Sequence, residues 1–517
     1  MHYDYVIVGA GSAGCVLAAR LSEDPGVTVA LIEAGGQDAK KEFRIPAGFP
    51  SLFKTEADWD FSTTEQEALA GRELYWPRGR VLGGSSSLNA MMWVRGTKED
   101  YDDWEVPGWS YDEVLPYFQR AERRVGSNAG GVYGSEGPLN IEEQRDPNVT
   151  TRAFLKACDE LGYRRLDELN GPSNEGYALT PVTQKKGRRW STYDAFLKPV
   201  LGRPNLTVIT DVLVSRVLIE DGRAVGVVHG GQEVRAAREV VLCAGAVGSP
   251  HLLMLSGIGD PEHLAEHGID VVRPLPAVGR NLQDHLSIGV FRRCPRKVTL
   301  AGAETVGNLL KYLSLRKGPF TSNVGEAVAF LRSDEALPAP DLELIFAPVP
   351  FIRHGLEKEA AKEEGITIGV ILLQPDSVGS LTLASADPAD PPRIDAAYLT
   401  GESDLKRLVF GIREAEKLMN ARALEEYAGE NYPPYPGSES DELLEKHVRE
   451  NSETLYHPVG TCHMGVEETS VVDPELRVRG VRGLRVADVS IMPRVNRGHT
   501  HAPAVMIGEK AADLIRG

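Results

Sequence analysis

The chain has 517 residues, 42% hydrophobic and 25% charged, an ordinary globular composition with enough length for two or three domains' worth of core. A net charge of −17, spread along the chain, disfavours nucleic acid or an anionic membrane as a partner. Five scattered cysteines without a C-x-x-C pair argue against a disulfide framework or a zinc site and fit a reducing compartment.

The first stretch carries the most information. Val6, Ile7 and Val8 form a β-branched run that predicts a buried strand. Gly9, Gly11 and Gly14 follow as G-x-G-x-x-G, then a helical pattern over 13–23 and a second strand over 27–35 that contains Glu33. In such a unit the first glycine allows the tight turn, the second lets a pyrophosphate approach the backbone, and the third lets helix and strand pack closely. Glu33 stands about twenty residues past Gly14, where an acidic side chain meets an adenosine ribose. The unit predicts a dinucleotide site and leaves FAD and NAD open. Because the strand begins so close to Met1, no signal peptide is expected, and the protein reads as cytoplasmic with peripheral membrane contact left open.

Residues 43–66 mix aromatic, Pro and polar residues and predict a long, irregular connection of the sort that covers a site. Residues 75–96 carry Gly83, Gly84 and three serines ahead of an apolar run. Small residues and free N–H groups there let backbone lie against a flat or phosphorylated ligand, and a plain glycine-rich surface loop is the alternative. Helical patterns cover 101–124 and 149–162, and residues 185–189 form a basic turn. Alternation over 205–219 and 224–239 predicts strands, followed by a short buried strand over 240–246 and a helix. The apolar residues of 240–259 are interrupted by Gly, Ser, Pro and His, so a membrane span is not expected. Residues 297–450 differ in character, with strands over 341–349 and 366–375 and helices over 403–420 and 441–450. The end returns to the first style, a strand over 483–493 with Asp488 near its end and a helix over 501–517. The expected organisation is one discontinuous unit (1–155, 196–296 and 451–517) and a second unit (156–195 and 297–450) built on an antiparallel sheet.

Two stretches near the C-terminus bear histidines, His457 and His463 in one, His499 and His501 in the other. Histidine accepts protons near neutral pH, so a pair on adjacent loops could bind one hydroxyl and remove its proton. Metal ligation by His499 and His501 is the weaker reading, because they precede a helix in a Gly-containing loop and no acidic ligand lies nearby in sequence.

These motifs together resemble the glucose–methanol–choline (GMC) oxidoreductases. The resemblance rests on VIVGAGSAG at the N-terminus, GRVLGGSSSLNAMMWVRG at 79–96, GAVGSPHLLMLSGIG at 245–259, VGRNLQDH at 278–285, and YHPVGTCHMG with the HTHAPAVMIGEKAAD tail. It implies an α/β, Rossmann-like FAD-binding domain with an α+β substrate domain. It implies FAD held by Gly9, Gly11, Ser12, Ala13, Gly14, Glu33 and Ala34. Val81, Gly84, Asn89 and Met91 would line the flavin, Val212 would touch adenine through its main chain, and Ala244 and Asp488 would approach ribose and pyrophosphate. His457 would be the general base and His501 the second active-site residue. Glu326 would be a pocket residue of the second domain, and Leu455 would crowd the space beside His457. Leu88 stands where some members carry a histidine joined covalently to FAD, so dissociable FAD is expected. The HTHAP sequence resembles aryl-alcohol oxidases more than choline enzymes.

The implied reaction is oxidation of a primary alcohol to an aldehyde by hydride transfer to flavin N5, with His457 and His501 acting on the hydroxyl. Oxygen or a quinone or dye would reoxidise the flavin. A non-redox lyase or photoenzyme on the same scaffold, and a choline-specific dehydrogenase, are the alternatives.

Overall fold

The computed structural model describes residues 1–38, 40–357 and 359–517. Two sheets face one another across a cavity. The first has seven strands and is parallel at its centre. Leu206–Ile209, Val29–Ile32, His2–Val8 and Gln232–Leu242 lie side by side, and Leu484–Val486 adds in parallel to Gln232–Leu242. Val6 pairs with Ala30 on one side and Val240 on the other. Buried on both faces at the sheet centre, residues 6–8, 29–32 and 240–242 are apolar runs rather than alternating patterns. Arg223–His229 and Val214–Glu220 extend the sheet in antiparallel fashion.

Helix Ser12–Leu21 packs on this sheet, and helix His501–Arg516 packs on Ser12–Leu21 and on Tyr111–Ala121. The approach is tight because it is built of glycine. A Cβ on Gly14 would lie 1.9 Å from the Gly9 carbonyl oxygen, and one on Gly508 would lie 2.8 Å from that of Ala13.

The second sheet has six antiparallel strands in the order Glu453–Thr454, Leu286–Arg293, Gly365–Leu372, Leu342–Ala347, Ala327–Leu331 and Gly176–Leu179. Its faces divide by residue parity. Leu344, Phe346, Ile368 and Val370 belong to the main core, where Phe346 stacks on Phe154 of helix Val149–Glu160 at 4.8 Å. Ile345, Ala347, Thr367, Gly369 and Ile371 face the cavity. Helices Asp404–Met419 and Asp441–Asn451 complete the covered side.

The structure differs from the sequence expectations where the chain changes direction. Residues 205–219 are not one strand. Asp211 has φ 61°, and the chain crosses from one edge of the first sheet to the other, leaving Leu206–Ile209 and Val214–Glu220 at opposite edges. Residues 224–239 form a hairpin with its turn at Gly230 and Gly231, both at positive φ. The helix expected over 101–124 divides into Lys98–Asp102 and Tyr111–Ala121, the second restarted by a capping box between Ser110 and Glu113. Leu286–Arg293 and Glu453–Thr454, expected in the first unit, belong to the second sheet, because both pair with strands of that sheet. Helix Val149–Glu160 likewise packs on the second sheet, ahead of the expected boundary at 155/156. Among the described residues, no helix is long and apolar enough to cross a membrane.

Candidate active site

A cavity of about 1340 Å3 runs between the two sheets, from the glycine turn to the histidines. At its first end the backbone does the recognition. Helix Ser12–Leu21 starts from Gly11 with no side-chain cap and no acidic residue in its first turn, so its leading N–H groups are open to an anion. Glu33 is buried and held by its own loop, its Oε2 accepting from the Ala10 N–H at 2.8 Å and its Oε1 from Gly35 at 2.9 Å. Burial pushes the Glu33 carboxyl up to about 7, against the lowering effect of those N–H groups. The Val212 N–H donates to the Glu33 carbonyl at 3.1 Å. Asp488 accepts from the Gly245 N–H at 2.9 Å and from Ser249 Oγ at 2.5 Å, and so fixes the turn that opens helix Gly245–Leu255.

The second glycine-rich stretch lies directly on the first. A Cβ on Gly84, at φ 52°, would stand 2.7 Å from the Gly11 Cα. Leu88, Asn89 and Met91 line the cavity beyond it, and the buried Arg189 donates to Asn89 Oδ1 at 2.8 Å.

Most expected cofactor residues therefore share one cavity: Gly9, Gly11, Ser12, Ala13, Glu33, Ala34, Gly84, Asn89, Met91, Val212, Ala244 and Asp488 all line it. Gly14 and Val81 are not on its wall. Gly14 lies beneath the glycine turn, and Val81 is buried behind the second loop, bridged to Gly36.

The other end is built around three histidines. The His457 main-chain N–H donates to Asp284 Oδ1 at 2.6 Å, and the two Nδ1 atoms of His457 and His285 are 2.9 Å apart. His285 is fully buried, and its Nε2 lies 3.0 Å from the Leu373 carbonyl oxygen. A carbonyl only accepts, so Nε2 of His285 carries the proton. Burial, then the neighbouring His499, pushes His285 down to about 3, so the ring is neutral and its Nδ1 is an acceptor. Nδ1 of His457 must then be the donor, which leaves the lone pair of the His457 ring on Nε2. His457 itself is held well below the ordinary histidine value, first by burial and then by His499, His285 and Arg78.

His499 stands 5.0 Å from His457, ring centre to ring centre, at 70°. Its Nε2 donates to both oxygens of Glu343, at 3.0 and 3.2 Å, and its main-chain N–H donates to Val94. Glu343 is fully buried in strand Leu342–Ala347, on the same side as Ile345 and Ala347.

His501 lies elsewhere. It opens helix His501–Arg516, with Nδ1 3.1 Å from Ser12 Oγ of the glycine turn and its ring edge-on to Trp93. Its Nε2 is buried without a partner, and burial, then Arg189, pushes the ring down to about 3. The structure thus pairs His457 with His499 rather than with the expected His501.

Leu455 lines the cavity beside His457, as expected of a pocket residue. Glu326 is absent from the cavity wall. It accepts from the Asn148 N–H, Thr151 Oγ1 and Ser322 Oγ and ties a helix start to the second sheet. The irregular stretch 43–66 does cover the cavity, chiefly through Phe49 and Phe53, which pack against Phe351, Tyr75 and Tyr456.

Two residues of this end were not among the expected site residues, His285 and Glu343, and His499, offered among the candidate histidines, was not assigned the second active-site position. Glu343 left a signal, as a single carboxylate inside an otherwise apolar strand must find a buried partner.

A bare helix N-terminus and two glycine loops that a Cβ would obstruct at one end of the cavity, with histidines at the other, fit an FAD-dependent oxidoreductase acting on alcohols. The comparisons agree. The description "GMC oxidoreductase" applies to two family models, matched by residues 3–287 and 375–508. The chain belongs to the GMC oxidoreductase family. It is 52% identical to an uncharacterized GMC-type oxidoreductase of Mycobacterium tuberculosis, over 99% of each chain. It is 40% identical to the alcohol dehydrogenase [acceptor] of Pseudomonas putida, over 99% of this chain and 95% of the relative. It is also 42% identical to human mitochondrial choline dehydrogenase, over 100% and 90%. Among solved structures it matches pyridoxine 4-oxidase from "Mesorbium loti" with a TM-score of 0.90 and 33% identity, covering 99% and 98% of the two chains. The cofactor of this family is FAD, bound without a covalent link as the norm, and Leu88 offers no nucleophile for such a link.

Proposed function

We propose that the enzyme oxidises a primary alcohol with an apolar body to the aldehyde, with His457 as the base. Bound FAD supplies the hydride acceptor, its N5. The observation that carries the proposal is the proton chain from the Leu373 carbonyl through His285 to His457, which leaves the lone pair on Nε2 of a ring that lines the cavity. His457 takes the hydroxyl proton at Nε2. The Glu343 carboxylate takes the Nε2–H of His499, so a proton carried on Nδ1 of His499 is what would stabilise the developing alkoxide. The aromatic cover excludes water and holds the carbon chain of the alcohol.

A quaternary-ammonium alcohol is the second reading, favoured by the choline dehydrogenase relative and by the aromatic cover. Against it, the Lys54 ammonium already stands 4.2 Å over the Tyr75 ring, and Glu343 is engaged by His499.

The test is anaerobic. The yellow protein is mixed in turn with aliphatic, aromatic and quaternary-ammonium alcohols, and flavin bleaching is followed before air is admitted. Bleaching by the first two classes is expected, and no bleaching by any alcohol overturns the proposal. Return of colour in air with hydrogen peroxide identifies an oxidase, whereas a flavin that stays reduced identifies a dehydrogenase. His457→Ala is expected to lower turnover by roughly 10²–10⁴-fold with FAD retained.

A further inference from the structure

Helix Val306–Leu315 is the most exposed apolar element of the molecule. Val306 is 74% exposed, Leu310 60%, Leu313 55% and Leu315 61%. Val306, Leu309, Leu310 and Leu313 recur at helical spacing and form one stripe. The helix is nonetheless well made. Thr305 caps it, accepting from the Asn308 N–H, and its one buried side chain, Tyr312, donates to the Arg44 carbonyl at 3.2 Å. A ten-residue helix ordinarily draws its stability from an apolar face buried in its own protein. Here that face points outward.

The surroundings of the stripe are basic, against the trend of a chain with net charge −17. From 296 to 317 the chain carries five basic residues and one acidic residue, Glu304. The turn bearing the exposed Lys186 and Arg188 packs against the end of this helix, where a Cβ on Gly187 would meet the Arg316 carbonyl oxygen at 3.0 Å. Acidic neighbours are Asp146, 3.3 Å from Lys311, Glu426, 3.4 Å from Arg296, and Glu364, which accepts from Val298 and Thr299.

We infer that this helix docks the enzyme on an anionic lipid bilayer, lying in the interface with its leucines among the acyl chains and Lys311 with the flanking Arg316 and Lys317 at the headgroups. A second copy of the chain fits less well, because a two-fold contact through this face would set Lys311 and Lys317 of both copies against one another. Docking there also presents the cover of the cavity to the lipid, since Tyr312 rests on the turn Lys41–Arg44 that leads into Phe49 and Phe53.

The test is vesicle flotation of the holoenzyme, with phosphatidylcholine alone and with phosphatidylcholine containing phosphatidylglycerol. Binding is expected only to the mixed vesicles, and it weakens as salt rises. Leu310→Glu with Leu313→Glu abolishes it, and Lys311→Glu with Lys317→Glu lowers it by about tenfold or more. Both variants keep their yellow colour and their turnover of a water-soluble alcohol. Absence of wild-type binding, or equal binding by the leucine variant, overturns the inference. So does a lipid-free dimer, seen by sedimentation velocity, that the leucine variant loses. Flotation does not depend on alcohol chemistry, so its outcome is separate from that of the proposed reaction.

Discussion

The two ends of the cavity are built by opposite means. At the first sheet the wall is main chain: open N–H groups of a helix start, and glycines at Gly9, Gly11 and Gly84. At the second sheet it is side chains: His457, His499 and Leu455 line the cavity, with His285 and Glu343 behind the two histidines. A backbone site fails when any atom is added to it. A side-chain site fails by degrees, according to which member is removed.

The largest expected effect lies at the backbone end. Gly14→Ala would place a methyl 1.9 Å from the Gly9 carbonyl carbon's oxygen, which neither strand nor helix can yield to. The variant is expected to purify without bound flavin, as read from its visible spectrum. A yellow Gly14→Ala protein would remove the contrast between the two ends.

At the side-chain end, Glu343→Ala strips His499 of its partner in a fully buried position. A loss of about 3 kcal/mol is expected, measured as a fall in thermal stability, together with slower turnover in a protein that still binds FAD. Normal turnover would detach His499 from the reaction.

His501→Asn is milder. It removes one hydrogen bond, to Ser12 Oγ, worth about 1 kcal/mol, or about fivefold in FAD affinity. A loss of turnover greater than that of His499→Asn would return the second active-site role to His501.

The smallest expected effect is that of acid. The value of His457 is lowered, so its neutral, proton-accepting form persists as pH falls through the ordinary histidine value of about 6.5. The profile of kcat/KM should be flat across that value, and an inflection there would mean that His457 is in contact with bulk water rather than walled in.

The same contrast explains how much could be read from the chain. The nucleotide end was legible because backbone recognition demands glycine at fixed spacing, and Gly9, Gly11, Gly14 and Glu33 stand together in sequence. The antiparallel sheet was legible at 341–349 and 366–375, where apolar runs are long. It was not legible at Gly176–Leu179 or Glu453–Thr454, which are too short to show a period. At the histidine end the ring beside His457 is His499, two residues before the expected His501, since a loop entering a helix follows neither the strand period nor the helical one. Glu326 and Glu343 are both buried acids of the second sheet region, and the choice between them rests on which neighbours they face, something that spacing does not encode. Net charge is an average, and −17 conceals five basic residues and one acidic residue over 296–317, around a leucine-rich helix.

One feature of the first sheet bears on how the enzyme is made. The glycine turn lies more than 450 residues ahead of strand Leu484–Val486 and helix His501–Arg516, which support it. On the ribosome the nascent polypeptide therefore exposes its glycine turn long before the turn has a floor. Stable flavin loading is expected only once helix His501–Arg516 has joined the fold.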